Sequence, residues 1–219
     1  MTKKKKTPWP TKAVMQQVYE KHLWGGAHFD FYSGEGSYKP EIIEPYLNAI
    51  TSFLESHDNA LTICDLGCGD FNIGQHLVEY TKKYIAIDIV DEIIERNKKR
   101  YRADHLEFQC LDISKDKLPD GDCIILRQVL QHLSNAEIKR IVNILSNYKY
   151  IILTEHLPLN GFMSNKDIIS GQGIRLRYNS GVDLLKPPFY LNVKEERCLD
   201  EYIDPSNKKG KIKTTLYIL

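Results

Sequence analysis

No stretch of the 219-residue sequence approaches the roughly 20 consecutive apolar residues that a helix needs to cross a bilayer, so no membrane span is expected. A surplus of charge is lacking too. Thirty basic against 29 acidic side chains leave a net charge of +1, without the broad positive field of a nucleic-acid binder. The one charge block, Lys3 to Lys6, reads as part of a solvated, disordered basic tail over residues 1–10. No apolar stretch follows it as an export signal would require, and a cytoplasmic location is expected. Cysteine is sparse and odd in number: Cys64, Cys68, Cys110, Cys123 and Cys198. Four of these lie in or beside apolar runs and read as reduced core thiols, not as a disulfide framework. No cluster of His, Cys, Asp or Glu has metal-ligand spacing, so no metal site is expected. Internal repeats are missing.

What is present suffices for one well-buried core, with 42% hydrophobic residues. Thr11 to Leu23 carries Val14, Val18 and Leu23 at helical spacing, and Trp24-Gly25-Gly26 then leads into a Gly- and Ser-containing stretch, Phe31 to Pro40. Between Glu41 and Ser56 the residues Ile42, Ile43, Tyr46, Leu47, Ile50, Phe53 and Leu54 share one helical face. Short apolar runs follow at Leu61–Leu66, Tyr84–Ile89, Leu106–Cys110, Cys123–Leu126 and Tyr150–Leu153. Helical candidates fall at Ile73–Thr81, Val90–Arg102 and Asn135–Leu145. Strands alternating with helices predict an α/β fold: a doubly wound, mostly parallel seven-stranded sheet covered on both faces. Tyr190–Leu199 and Lys211–Leu219 have no helix between them and are expected to pair as an antiparallel C-terminal hairpin at its edge.

The sharpest local signal is Asp65-Leu66-Gly67-Cys68-Gly69-Asp70-Phe71-Asn72-Ile73-Gly74, a glycine turn directly after the first strand. Glycines there let the backbone adopt positive φ and approach a ligand closely. Asp88 ends the second strand about 20 residues on, where a carboxylate accepts hydrogen bonds from ribose hydroxyls. A third acid, Asp112, follows the third strand. A nicotinamide fingerprint would place a third glycine at position 72, which is Asn. Asp65 and Asp70 crowd negative charge at the turn, which suits a sulfonium and an ammonium better than a pyrophosphate.

These three motifs, in order and each at a strand end, resemble the class I S-adenosylmethionine-dependent methyltransferases over roughly residues 60–155. The resemblance implies a Rossmann-like methyltransferase fold and S-adenosyl-L-methionine as cofactor. It implies that Asp65, Gly67, Cys68, Gly69 and Asp70 surround the methionine part; Arg127, a further cofactor-binding candidate, and Gln128 equally suit orienting the acceptor or capping the strand end. Asp88 would hold the ribose, Asp112 and Ile113 the adenine, and Ile89 would pack on the adenine face. A narrower resemblance, carried by Cys123–Ser134, Trp24-Gly25, Ser33–Ser37, Ser180-Gly181-Val182 and Pro187-Pro188-Phe189, is to a group of bacterial methyltransferases. Related enzymes of that class methylate sugars or other precursors of surface polysaccharides, which implies a small-molecule acceptor with a reactive hydroxyl. The expected division is a single domain over 11–219: a helical lid (11–58), a cofactor-binding core (59–156), a substrate loop (157–189) and the hairpin (190–219).

Methyl transfer is an in-line displacement, so the protein must align the acceptor and take up its proton. In a doubly wound fold the reacting groups lie beyond the carboxyl ends of the strands. That places His132, after strand four, and Glu155-His156, at the end of strand five, as candidate catalytic groups, with imidazoles that titrate near 6.5. His132 equally suits a hydrogen bond fixing its helix. Tyr19, Trp24 and Gln128 are candidates for touching substrate. Arg175 and Arg177, in the long connection Leu157–Pro188, are candidate clamps for a phosphate or carboxylate. Three other functions fit the same pattern: an N-methyltransferase on a small amine, a nicotinamide-dependent oxidoreductase, and a module that binds S-adenosylmethionine without catalysis. Oxygen or nitrogen as acceptor atom, and the oligomeric state, are open at this level.

Overall fold

A computed structural model describes residues 8–205 and 210–219, so the Lys3–Lys6 block lies outside the described residues. The chain runs α1 (Thr11–Glu20), α2 (Pro40–Glu55), β1 (Thr62–Leu66), β2 (Lys83–Asp88), α3 (Asp91–Arg100), β3 (Leu106–Cys110), β4 (Cys123–Arg127), α4 (Asn135–Leu145) and β5 (Tyr150–Pro158). Two short strands, β6 (Met163–Ser164) and β7 (Ser180–Gly181), pair in parallel, and β8 (Glu195–Ile203) and β9 (Gly210–Ile218) complete it. The main sheet has seven strands in the order β3-β2-β1-β4-β5-β9-β8, the first five parallel and β9 antiparallel to both of its neighbours. The expected fold class is the observed one.

Alternation along the parallel strands divides the core into two layers. Ile63, Tyr84, Ile125 and Ile152 pack with Tyr46, Ile50 and Leu54 of α2, while Leu66, Ile87, Leu126 and Leu153 pack with α1 and α4. Ser134 caps α4 in a reciprocal box with Glu137. Acidic residues open α3 and basic residues close it, matching the helix dipole. Among the described residues no helix is long and apolar enough to cross a membrane, and no group of three potential ligands can hold a metal ion.

Two elements differ from the sequence pattern. The helix expected over Ile73–Thr81 is a pair of tight 3-10 turns, Gly74–His76 and Val78–Tyr80. Phe71 takes a left-handed φ of 63° and its ring crowds Gly74, where a Cβ would lie 2.4 Å from Cε2. The chain must also be back beside Leu61 by residue 82, which leaves no length for a regular helix. The first hairpin strand begins at Glu195, not Tyr190, because β9 ends at Ile218, the partner of Glu195, and offers nothing upstream to pair with. Tyr190 itself sits at φ 52°.

Candidate active site

The floor of the site is the glycine turn at the end of β1. Gly67 (φ +85°) and Gly69 (φ +54°) leave no room for side chains: a Cβ on Gly67 would lie 2.5 Å from Val129 Cγ2, and one on Gly69 2.3 Å from Ser33 Oγ. Asp88, buried at the end of β2, accepts from the Gly69 and Val90 amides, each at 3.0 Å. Burial pushes its carboxyl above the usual range, against the pull of those amides. Asp65 accepts from the Tyr84 hydroxyl at 2.9 Å, and burial raises it to about 7. Cys68 lines the cavity beside them, its thiol pushed well up by burial and the surrounding carboxylates. Asp112 is also buried enough to be pushed up, but Lys115 and the Ser114 hydroxyl and amide overcome this and hold it below the usual range. Ile89, Leu111 and Ile113 add apolar lining to the cavity that Asp88 and Asp112 also line.

A strap over residues 30–38 roofs the turn. Asp70 takes the Ser33 amide at 2.9 Å and the Tyr38 hydroxyl at 2.7 Å, so its carboxylate fastens the strap to the turn. Arg96 adds an ion pair to Asp30 at 2.8 Å and a hydrogen bond to the Asp70 carbonyl. Asn72, where a nicotinamide fingerprint would have glycine, donates to the Ser37 carbonyl at 2.5 Å. Arg127 donates to the Gly36 carbonyl and, at 3.2 Å, to Ser37 Oγ. Beneath the strap lies a cavity of about 400 Å³, lined by every residue expected to bind cofactor and by Tyr19, Trp24, Gln128 and His132.

His132 sits on the turn after β4, its ring 5.0 Å from that of Trp24. Its Nδ1 lies 3.1 Å from the Gly171 carbonyl, which can only accept, so Nδ1 carries the proton and Nε2 the lone pair. Gln131 approaches Nε2 at a loose 3.3 Å. Burial lowers the His132 pKa to about 4, far from the 6.5 expected of a free imidazole.

Four sequence-level candidates fall elsewhere. His156 and Glu155 do not line the cavity, because antiparallel pairing with β9 carries β5 on to Pro158 and leaves both residues within the strand instead of beyond its end. Glu155 is buried, accepts from the Leu130 amide at 3.1 Å, and is pushed up to about 8. Arg175 is 1% exposed and its five N–H donors are spent on the carbonyls of Lys166, Leu130, Gln131 and Leu133 and on Asn135 Oδ1, so it anchors the loop and has no donor left to clamp a substrate. Arg177 is exposed and lies over the Tyr178 ring, off the cavity. Conversely, Tyr46 and Tyr84 line the cavity although their spacing in an apolar helix face and an apolar strand marks them as core. Only the polar hydroxyl each carries could have signalled otherwise.

The sheet order is that of the Rossmann-like methyltransferase fold. Residues 63–148 match the sequence model of the family described as Methyltransferase domain. No curated protein sequence matches the chain. In structure it is similar to the N-methyltransferase NodS from Bradyrhizobium japonicum WM9 in complex with S-adenosyl-L-homocysteine (TM-score 0.64, 13% identity, 94% of this chain and 98% of that one). It is also similar to the magnesium protoporphyrin IX methyltransferase ChlM from Synechocystis PCC 6803 with bound SAM (TM-score 0.58, 12% identity, 98% and 100%). A third likeness is to the N-terminal domain of EvdMO1 with SAH bound (TM-score 0.57, 15% identity, 96% and 98%).

Proposed function

We propose that the protein methylates a hydroxyl of a small acceptor, a sugar or another surface-polysaccharide precursor, in the cytoplasm. The observation that carries the reading is one continuous cavity joining the Asp88–Asp112 end to the neutral imidazole of His132. The residues present suit S-adenosylmethionine. Its adenosine would lie against Ile89, Leu111 and Ile113, with Asp88 accepting from the ribose and Asp112 from the adenine amine. The amino acid part would lie against the glycine turn, near Asp65 and Cys68. When bound, the cofactor supplies an electrophilic methyl group on a sulfonium.

The chain's own residues do the rest. Tyr19, Trp24 and Gln128 bound the space in which the acceptor is held against that methyl. His132 Nε2 offers the lone pair that takes the acceptor's proton. A pKa of about 4 suffices for this, since an oxygen gaining a third bond becomes far more acidic than the imidazolium. Asp70, Arg96 and Arg127 fasten the strap over the glycine turn and so fix one wall of the cavity. Against a nicotinamide cofactor stands the pair of 3-10 turns after the glycine turn, which supplies no α-helix dipole for a pyrophosphate.

Calorimetry tests the binding side. S-adenosylhomocysteine is expected to bind and NAD not to bind, and Asp88→Ala should weaken S-adenosylhomocysteine by about 1–3 kcal/mol, the cost of leaving buried polar groups unpaired. Undiminished affinity in that variant would remove Asp88 from the ribose.

A further inference from the structure

Five buried side-chain nitrogen and oxygen atoms among the described residues have no hydrogen-bond partner: Trp24 Nε1, Tyr46 Oη, Arg127 Nε, Gln128 Nε2 and Glu155 Oε2. Buried polar groups are rarely left unpaired, because each forfeits its hydration for nothing. The first four belong to residues lining the cavity, and Glu155 does not. All four are hydrogen-bond donors, Tyr46 through its hydroxyl. At these four residues the cavity is bordered by donors that have no protein acceptor, which is complementary to a ligand group that presents oxygen lone pairs.

Charge sharpens this at Arg127 and Gln128. Arg127 makes no ion pair within 4 Å among the described residues. Its guanidinium rests over the Tyr46 ring at 4.8 Å and spends two nitrogens on the strap, at Gly36 and Ser37, leaving Nε free. Asp65, Asp70 and Asp200 act on it only from beyond contact. Of these, Asp65 is already bonded to Tyr84 and Asp70 to the strap. Gln128 is held at a left-handed φ of 57°, a conformation costly for a residue with a side chain, and its amide presses on Gly36, where a Cβ would lie 2.7 Å from Oε1. The NH2 of that amide finds no protein acceptor.

We propose that the methyl acceptor is anionic, bearing a carboxylate that Arg127 and Gln128 receive together: an acidic sugar or a hydroxy acid instead of a neutral sugar or an amine. The inference rests on the methyl-transfer reading of the same cavity. A carboxylate at Arg127 has a second possible source, the α-carboxylate of the cofactor, and the test separates the two.

The arginine Nε–H resonances of the 15N-labelled full chain are followed by NMR, that of Arg127 being assigned by its loss in Arg127→Lys or, if that variant does not fold, by contacts to the Tyr46 ring protons. With the protein saturated by S-adenosylhomocysteine, acetate should move the Arg127 signal saturably in the millimolar range and acetamide should not. Gln128→Ala should weaken the acetate response severalfold while leaving S-adenosylhomocysteine affinity unchanged. An Arg127 signal indifferent to acetate in that complex overturns the proposal. So does a signal that S-adenosylhomocysteine shifts as acetate does, when 5′-methylthioadenosine, which lacks the amino acid part, leaves it in place: the carboxylate is then the cofactor's. If S-adenosylhomocysteine does not bind at all, the methyl-transfer reading fails, and the acetate response of the free protein alone decides whether the anion subsite stands.

Discussion

Burial holds the His132 imidazole neutral down to a pH of about 4, and the Gly171 carbonyl fixes which nitrogen carries the proton. If Nε2 is the base, the acid limb of the rate profile should fall near pH 4, not near the ordinary 6.5. His132→Ala should slow turnover by about 10² to 10⁴ with little loss of cofactor affinity, and His156→Ala, off the cavity, should turn over as the wild type does. Initial rates of both variants against pH check this, and a wild-type limb at 6.5 would move the base to another residue. The depressed pKa also carries a stability consequence: the unfolded chain takes up a proton below about 6.5 that the folded state refuses, so this group's contribution declines as pH falls from 6.5 toward 4. Glu155 has the opposite sign. Its carboxyl is pushed up to about 8, so the folded state keeps a proton that the unfolded chain releases above about 4.5, and stability is lost as pH rises through that window. Glu155→Gln retains the acceptor for the Leu130 amide and removes the charge. Its thermal midpoint should exceed the wild type's at about pH 8.5 by more than it does at about pH 5, by roughly 2–4 °C for each kcal/mol relieved. Equal differences at the two pH values would contradict the assignment.

At the scale of elements, the connection between β5 and β8 is long but not slack. Arg175 threads from it into the turn after β4 and gathers the carbonyls of Leu130 and Leu133, while Gly171 exchanges hydrogen bonds with His132. The loop that might have clamped a substrate instead sets the position of the turn that lines the cavity. Arg175→Ala should therefore cost about 3–5 kcal/mol in urea unfolding, since it strips partners from several buried carbonyls at once. It should also free the His132 ring, raising its pKa toward 6.5 in an NMR titration. A variant as stable as the wild type would show that the loop is held by its other contacts.

For the whole molecule, the cavity lies where strap, glycine turn and β4 turn converge, so a ligand there touches the elements that close both core layers. Binding the folded state alone then stabilises everything at once. S-adenosylhomocysteine at about 100 times its Kd should add about 2.7 kcal/mol, which for a domain of this size raises the melting temperature by about 5–11 °C. NAD at the same concentration should raise it by less than a degree. Differential scanning calorimetry gives both numbers, and similar shifts from the two ligands would contradict the cofactor assignment.

The order of strands and helices, the glycine turn and the three acids at strand ends were legible in the sequence because each depends on local pattern: apolar alternation, helical spacing, and glycine where the backbone must turn left-handed. Hydrophobic runs of four to six residues flanked by polar punctuation place β1 to β5 within a residue or two at nearly every end. The exception, the far end of β5, shows where local pattern stops. Tertiary pairing with β9 prolongs that strand through Glu155-His156-Leu157-Pro158, and this withdraws His156 and Glu155 from the site. Arg175 reads as a candidate clamp for a phosphate or carboxylate until the fold brings carbonyls from a turn some 40 residues away around it. Asp70 lines the cavity as expected, and only the fold shows that its carboxylate also fastens the strap. Which polar groups are spent and which remain unpaired is set by partners distant in sequence, and so only the tertiary structure decides that Arg127 and Gln128, and not Arg175 and Arg177, line the cavity and carry an unpaired donor.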